Sequence, residues 1–204
     1  ILREDFYMEN NIVLKKANKL GVKTWTCIII FGLAGQLAWM VENMYFSAYI
    51  QANITKDAWA TSAAVASSAV VATIATIFGG ALSDRIGKRK IFVCIGYIIW
   101  GLITAAFGFI SKENVAAIFG LSDEIQILAV SVWVVIIMDM IMTFMGSTSN
   151  DSAFNAWLTD ITNPAVRPTV ETVLMFVGLF AMLAVMGVGS LAQGGVVSYR
   201  DFFL

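Results

Sequence analysis

Gly79-Gly80-Ala81-Leu82-Ser83-Asp84-Arg85-Ile86-Gly87-Lys88-Arg89-Lys90 separates two long apolar runs. The run before it, Asp57 to Leu82, carries no charge after its first residue, and the run after it, Ile91 to Ile110, carries none. Four cations and one carboxylate between such segments predict a tight cytoplasmic hairpin, because Lys and Arg are retained on the inner side of a bilayer. The paired glycines permit close packing and a sharp exit. Asp84 and Arg85 can pair with each other or with neighbouring helix ends.

Composition places the rest of the chain in the same class. It is 59% hydrophobic and 13% charged, with a mean hydropathy of +0.80, whereas soluble domains are about 25% charged. A membrane span needs about 20 apolar residues, and several stretches provide them, so an all-α polytopic membrane protein is expected. The alternating segments of about 10 residues that mark a β-barrel are not seen. A net charge of -1 gives no reason to expect nucleic acid as a partner. Histidine is missing, which removes His-based proton relays and most metal chemistry. Cys27 and Cys94 both fall inside apolar spans and read as small buried residues. No nucleophile–base pair, metal-ligand cluster or cofactor motif is visible, so neither an enzyme nor a cofactor is expected.

Five spans emerge along the chain, at about 24–50, 58–82, 91–110, 127–158 and 169–191. Residues 1–23 read as a basic cytoplasmic segment without the features of a secretory leader, and 24–204 as a transmembrane bundle. Residues 111–126 read as a polar loop, and the loop to Pro168 contains both prolines. Residues 194–204 resemble a loop leading into a sixth helix. The chain opens at Ile1 and stops at Leu204, so a fragment is expected. With the N-terminus inside, ten of the thirteen cations fall on inner segments and only Lys56, Lys112 and Arg200 on outer ones. That asymmetry predicts a cytoplasmic N-terminus. The second span is crowded with Ala, Ser, Thr and Gly, which suits tight packing or sliding against a neighbouring helix.

Ionisable groups inside spans point further. A charge in hydrocarbon costs at least about 2.5 kcal/mol, so it usually faces a cavity or a partner and marks a pathway. Glu42 lies in the outer half of the first span, and Asp139 falls near the bilayer midplane in the fourth. Asp139 reads either as lining a hydrated route or as a structural hydrogen-bonding group. Glu42 could also reach the outer interface, Asp151 could be a solvated inner carboxylate, and Glu171 reads as an ordinary first-turn carboxylate. At about 100° per residue, Thr143, Gly146 and Asn150 share a face with Asp139. Ser147, Asp151 and Asn155 run beside that stripe. Gln36, Met40, Asn43 and Ser47 share a face of the first span, with Glu42 turned away. Trp25, Trp39, Tyr45 and Trp59 read as interfacial anchors or core filling, and Trp39 also as a sugar-stacking platform.

With the hairpin placed between spans two and three, the stretch from Gly80 to Arg89 resembles the signature loop of the major facilitator superfamily. That signature has Gly, three residues, Asp, a cation, any residue, Gly, then two cations, and Gly80, Asp84, Arg85, Gly87, Lys88 and Arg89 fill every slot. The resemblance implies a twelve-helix transporter in two six-helix halves, working by alternating access. This chain would be most of the N-terminal half, and its partners would be the missing C-terminal half, the lipid bilayer, a small solute and a coupling cation. It further implies that Asp84 and Arg85, with Arg167 on the next inner loop, belong to a charge network closing the cytoplasmic side. Residues 147–160 are similar to fourth-helix segments of sugar:cation symporters. The expected function is therefore plasma-membrane transport of a small polar solute, a sugar among the options, coupled to H+ or Na+. Asp139 and Glu42 would be the ion-coupling carboxylates, and Gln36, Asn43, Asn150 and Asn155 would bind solute. Thr143 and Asp151 would line the same route. A drug or metabolite exporter of the same fold, or a non-transporting scaffold or sensor, are the rival readings.

Overall fold

The computed structural model describes residues 20–193 and Phe203, and all of its regular structure is helical. The long helices are α1 (Val22–Asn53), α2 (Ala58–Ile86), α3 (Arg89–Phe107), α5 (Glu124–Gly146) and α7 (Arg167–Gln193). A short helix α4 (Lys112–Phe119) precedes α5. A π-helical segment, Ser147–Phe154, and α6 (Asn155–Ile161) continue α5 without a break. Five segments are long and apolar enough to cross a membrane, the fourth being Glu124–Ile161 as a whole. This is a membrane-embedded helical protein. Residues 1–19 of the expected segment 1–23, and the expected beginning of a sixth helix apart from Phe203, lie outside the described residues.

Local chemistry sets the ends. Asp57 caps α2 by accepting from the Trp59 amide at 2.9 Å, and Asp123 caps α5 by accepting from the Gln126 amide at 3.2 Å. These side chains satisfy amides that the first helical turn leaves without partners. Helix α2 runs four residues further than the apolar run, through Asp84 and Arg85 to Ile86. It stops because Gly87 takes a left-handed conformation (φ 68°) and donates its amide to the Ser83 carbonyl, a geometry only glycine adopts without strain. The expected hairpin loop thus shrinks to Gly87 and Lys88.

The polar loop read over 111–126 contains α4. Ser111 starts that helix by accepting from the Asn114 amide at 3.2 Å, and Gly120 (φ 65°) ends it. The Glu113 carboxyl in its first turn is held below its usual range by hydrogen bonds from its own amide and the Ser111 hydroxyl. Pro168 lies inside α7, but in the first turn, where a missing amide hydrogen leaves no bond unmade.

Helix α1 packs chiefly on α7, α2 on α5 and the π segment, and α3 on α5 and the π segment. Two apolar cores hold the bundle. At the end carrying α4, Phe46, Tyr49 and Ile50 meet Phe107, Val135 and Ile136. The Tyr49 hydroxyl donates to the carbonyls of Gly108 (3.1 Å) and Ile110 (2.7 Å), pinning α1 to the turn after α3. At the Gly87 end, Ile28, Val93, Phe154 and Leu158 form the second core with Val170. Small residues set the closest approach: a Cβ on Gly79 would lie 3.2 Å from the Thr148 Cα. Cys27 and Cys94 correct the sequence expectation, because both are exposed on the bundle surface. Apolar sequence cannot separate lipid-facing from interior positions when the surrounding solvent is itself apolar.

Candidate functional site

Two cavities collect the polar residues. The first, about 270 Å³, lies among α1, α2 and α5 and is lined by Glu42, Asn43, Ser68, Asp139 and Thr143, with Trp39 at its wall. Glu42 is 7% and Asp139 2% exposed, so both carboxylates are withdrawn into the bundle. Thr143 donates its hydroxyl to Glu42 Oε1 at 2.8 Å, and Ser68 donates to Asp139 Oδ2. Glu42 Oε2 is buried with no hydrogen-bond partner among the described residues. The lining contains no lysine or arginine. Asn43 turns its amide back onto the Trp39 carbonyl at 2.7 Å.

The second cavity, about 530 Å³, lies among α1, the π segment, α6 and α7, and is lined by Gln36, Asn150, Asp151, Asn155 and Glu171. Tyr97 donates its hydroxyl to Asn150 Oδ1 at 2.6 Å, and the Asn150 amide donates to Asp151 Oδ1 at 3.0 Å. Asn155 donates to the Asp151 carbonyl at 3.0 Å. Gly35 makes this cluster possible, since a Cβ there would overlap the Asn150 amide and stand 2.7 Å from the Tyr97 hydroxyl. A row of aromatic contacts links the two linings: Trp39 of the first cavity meets Trp100 edge-on at 5.3 Å, and Trp100 meets Tyr97, the partner of Asn150, at 5.8 Å.

The single polar stripe expected on the fourth span is therefore divided. Asp139 and Thr143 open into the first cavity, while Asn150 opens into the second. A π segment begins at Ser147, between Thr143 and Asn150. Its i→i+5 turns are wider than α-helical ones, so residues beyond it leave the register of those before it. The stripe on the first span divides likewise, Gln36 and Met40 on one side and Asn43 and Ser47 on the other.

At the Gly87 end, the ion pairs differ from the simplest expectation. Arg89 bridges Asp84 (2.6 Å) and Asp160 (2.7 Å) and donates to the Ala156 carbonyl at 2.6 Å. This joins α2, α3 and α6 through one side chain. Arg85 and Lys88 form no ion pair among the described residues. Arg167 pairs with Glu171 (3.4 Å) and donates to Thr159 Oγ1 at 2.8 Å, closing the turn between α6 and α7. Gly80 packs near Ser152, its would-be Cβ 3.2 Å from that hydroxyl.

Sequence reasoning missed Ser68, Tyr97 and Trp100, and read Glu171, which lines the second cavity, as an ordinary first-turn carboxylate. Ser68 was hidden in a run of small residues, and a tyrosine in an apolar span is indistinguishable from an anchor until its partner is known. No family model, curated protein or solved structure matches this chain. Its class rests on the five apolar helices and on what they enclose.

Proposed function

We propose that this chain is the N-terminal half of a secondary transporter of the major facilitator type, moving a small polar solute by alternating access coupled to H+ or Na+. One observation carries the reading: Glu42 and Asp139, from different spans, are buried in one cavity that no cation lines. Buried carboxylates without a basic partner are costly in a membrane, and a proton or sodium ion arriving from solution removes that cost. The second cavity offers amides and carboxylates at hydrogen-bonding spacing, which suits a solute rich in hydroxyls. Binding the cation in the first cavity and solute in the second couples the two through the packed Trp39–Trp100–Tyr97 row.

Packing supports the half-fold. Where a bundle repeats its first three spans as its next three, as in such transporters, the first–fifth contact has the second–fourth contact as its equivalent. Both are extensive here. The third span packs on the fourth as well. The cation count favours a cytoplasmic N-terminus, and solute uptake favours the plasma membrane.

The test uses the purified intact protein in proteoliposomes, with imposed proton or sodium gradients and a panel of small polar solutes that includes sugars. Gradient-driven accumulation that falls to background in Asp139→Asn is the expected result. Accumulation unchanged by that substitution removes Asp139 from coupling. Gradient-driven expulsion from loaded vesicles would instead make the protein an exporter.

A further inference from the structure

A groove of about 380 Å³ runs between α2 and α3 at the Gly87 end, away from both polar cavities. Phe78 and Leu82 form one wall, Ile91 and Ile95 the other, and Gly79 and Gly96 lie along its floor. The four wall side chains are 48–67% exposed, so the groove opens outward from the bundle. Its floor is deep because neither glycine carries a Cβ and both press directly on the π segment, at Thr148 and Ser149.

Both walls end in cations that form no ion pair among the described residues. Arg85 is one turn beyond Leu82 on α2, and Lys88 precedes Ile91 by three residues at the start of α3. Both side chains are exposed. The turn carries Arg85, Lys88, Arg89 and Lys90 against Asp84 and Asp160, a surplus of two positive charges. Arg89 occupies both carboxylates, so Arg85 and Lys88 are left for another anion. Arg85 thus follows one wall along α2 and Lys88 leads into the other along α3, which places positive charge at the end of the apolar channel nearest the turn.

We propose that this groove binds an anionic phospholipid of the leaflet bordering the Gly87 turn, its phosphate on Arg85 and Lys88 and one acyl chain between α2 and α3. Basic pockets between membrane helices select such headgroups over zwitterionic ones. The groove requires only that the protein span a membrane, and it stands whether or not solute is transported. A lipid seated there props α2 and α3 apart beside the turn that carries the Arg89 network.

The experiment places a bimane fluorophore at Ile98→Cys, one turn past the groove on α3, in the intact protein with Cys27 and Cys94 replaced by serine. Nanodiscs of phosphatidylcholine contain a minor fraction of either brominated phosphatidylglycerol or brominated phosphatidylcholine. Two surface cations predict a binding preference of about 30-fold for the anionic lipid, read as markedly stronger quenching by the brominated phosphatidylglycerol. The preference should vanish in Arg85→Gln/Lys88→Gln and be missing for a fluorophore at the exposed, distant Leu183→Cys. Equal quenching by the two lipids, or a preference that survives the double substitution, overturns the assignment.

Discussion

Glu42 and Asp139 each depend on a single hydroxyl, Thr143 for one and Ser68 for the other. A buried group that loses its partner bears the desolvation cost alone, about 1–3 kcal/mol. Thr143→Val keeps the side-chain shape and removes the donor, so it should lower stability by about that amount. Thr73→Val is the comparison, because the exposed Thr73 hydroxyl bonds only the carbonyl one turn back. Denaturant unfolding in detergent measures both, and equal effects would mean that the Thr143 bond contributes nothing special. At this scale the sequence was informative about the acids and silent about their partners. A carboxylate in an apolar run is conspicuous, whereas Ser68 stands among Ala66, Ser67 and Ala69 with nothing to mark it.

The helices owe their ends to residues that can be read and their relative rotation to one that could not. Asp57, Ser111 and Asp123 stand where caps belong, and Gly87 and Gly120 where helices stop. The π segment left no comparable trace. Ser147-Thr148-Ser149-Asn150-Asp151 ends the apolar run, but a polar stretch suits an α-helix with a polar face equally well, and only the structure shows the wider turn, packed against α2 and α3. Expecting Asn150 beside Asp139 assumed a uniform helix. The ion network at the Gly87 end also belongs to this scale, because Arg89 connects three elements. Arg89→Gln removes two ion pairs and a carbonyl bond together, and a cost of about 1–3 kcal/mol is expected. Asp84→Asn removes only one exposed pair and should cost below about 1 kcal/mol. Thermal unfolding in detergent separates the two. If Asp84→Asn proves the more damaging, Arg89 is not the centre of the network.

The molecule as a whole is two polar chambers in an apolar bundle, linked by a row of aromatic side chains and tied off at one end by Arg89 and Arg167. The number of spans, their order and the acids were legible from charge-free run lengths and the few charges within them. Which face of each helix turns inward was not, because lipid rewards apolar surface as readily as the interior does, and both cysteines show it. The central claim is that water reaches the chamber holding Glu42 and Asp139. Half-buried Ala72 lines that chamber without bonding either acid. Ala72→Cys, in the intact protein with Cys27 and Cys94 replaced by serine, can be treated in vesicles with a charged, membrane-impermeant thiol reagent. Modification from at least one aqueous side is predicted. A thiol that resists the charged reagent from both sides, yet reacts with a lipid-soluble maleimide, would contradict it.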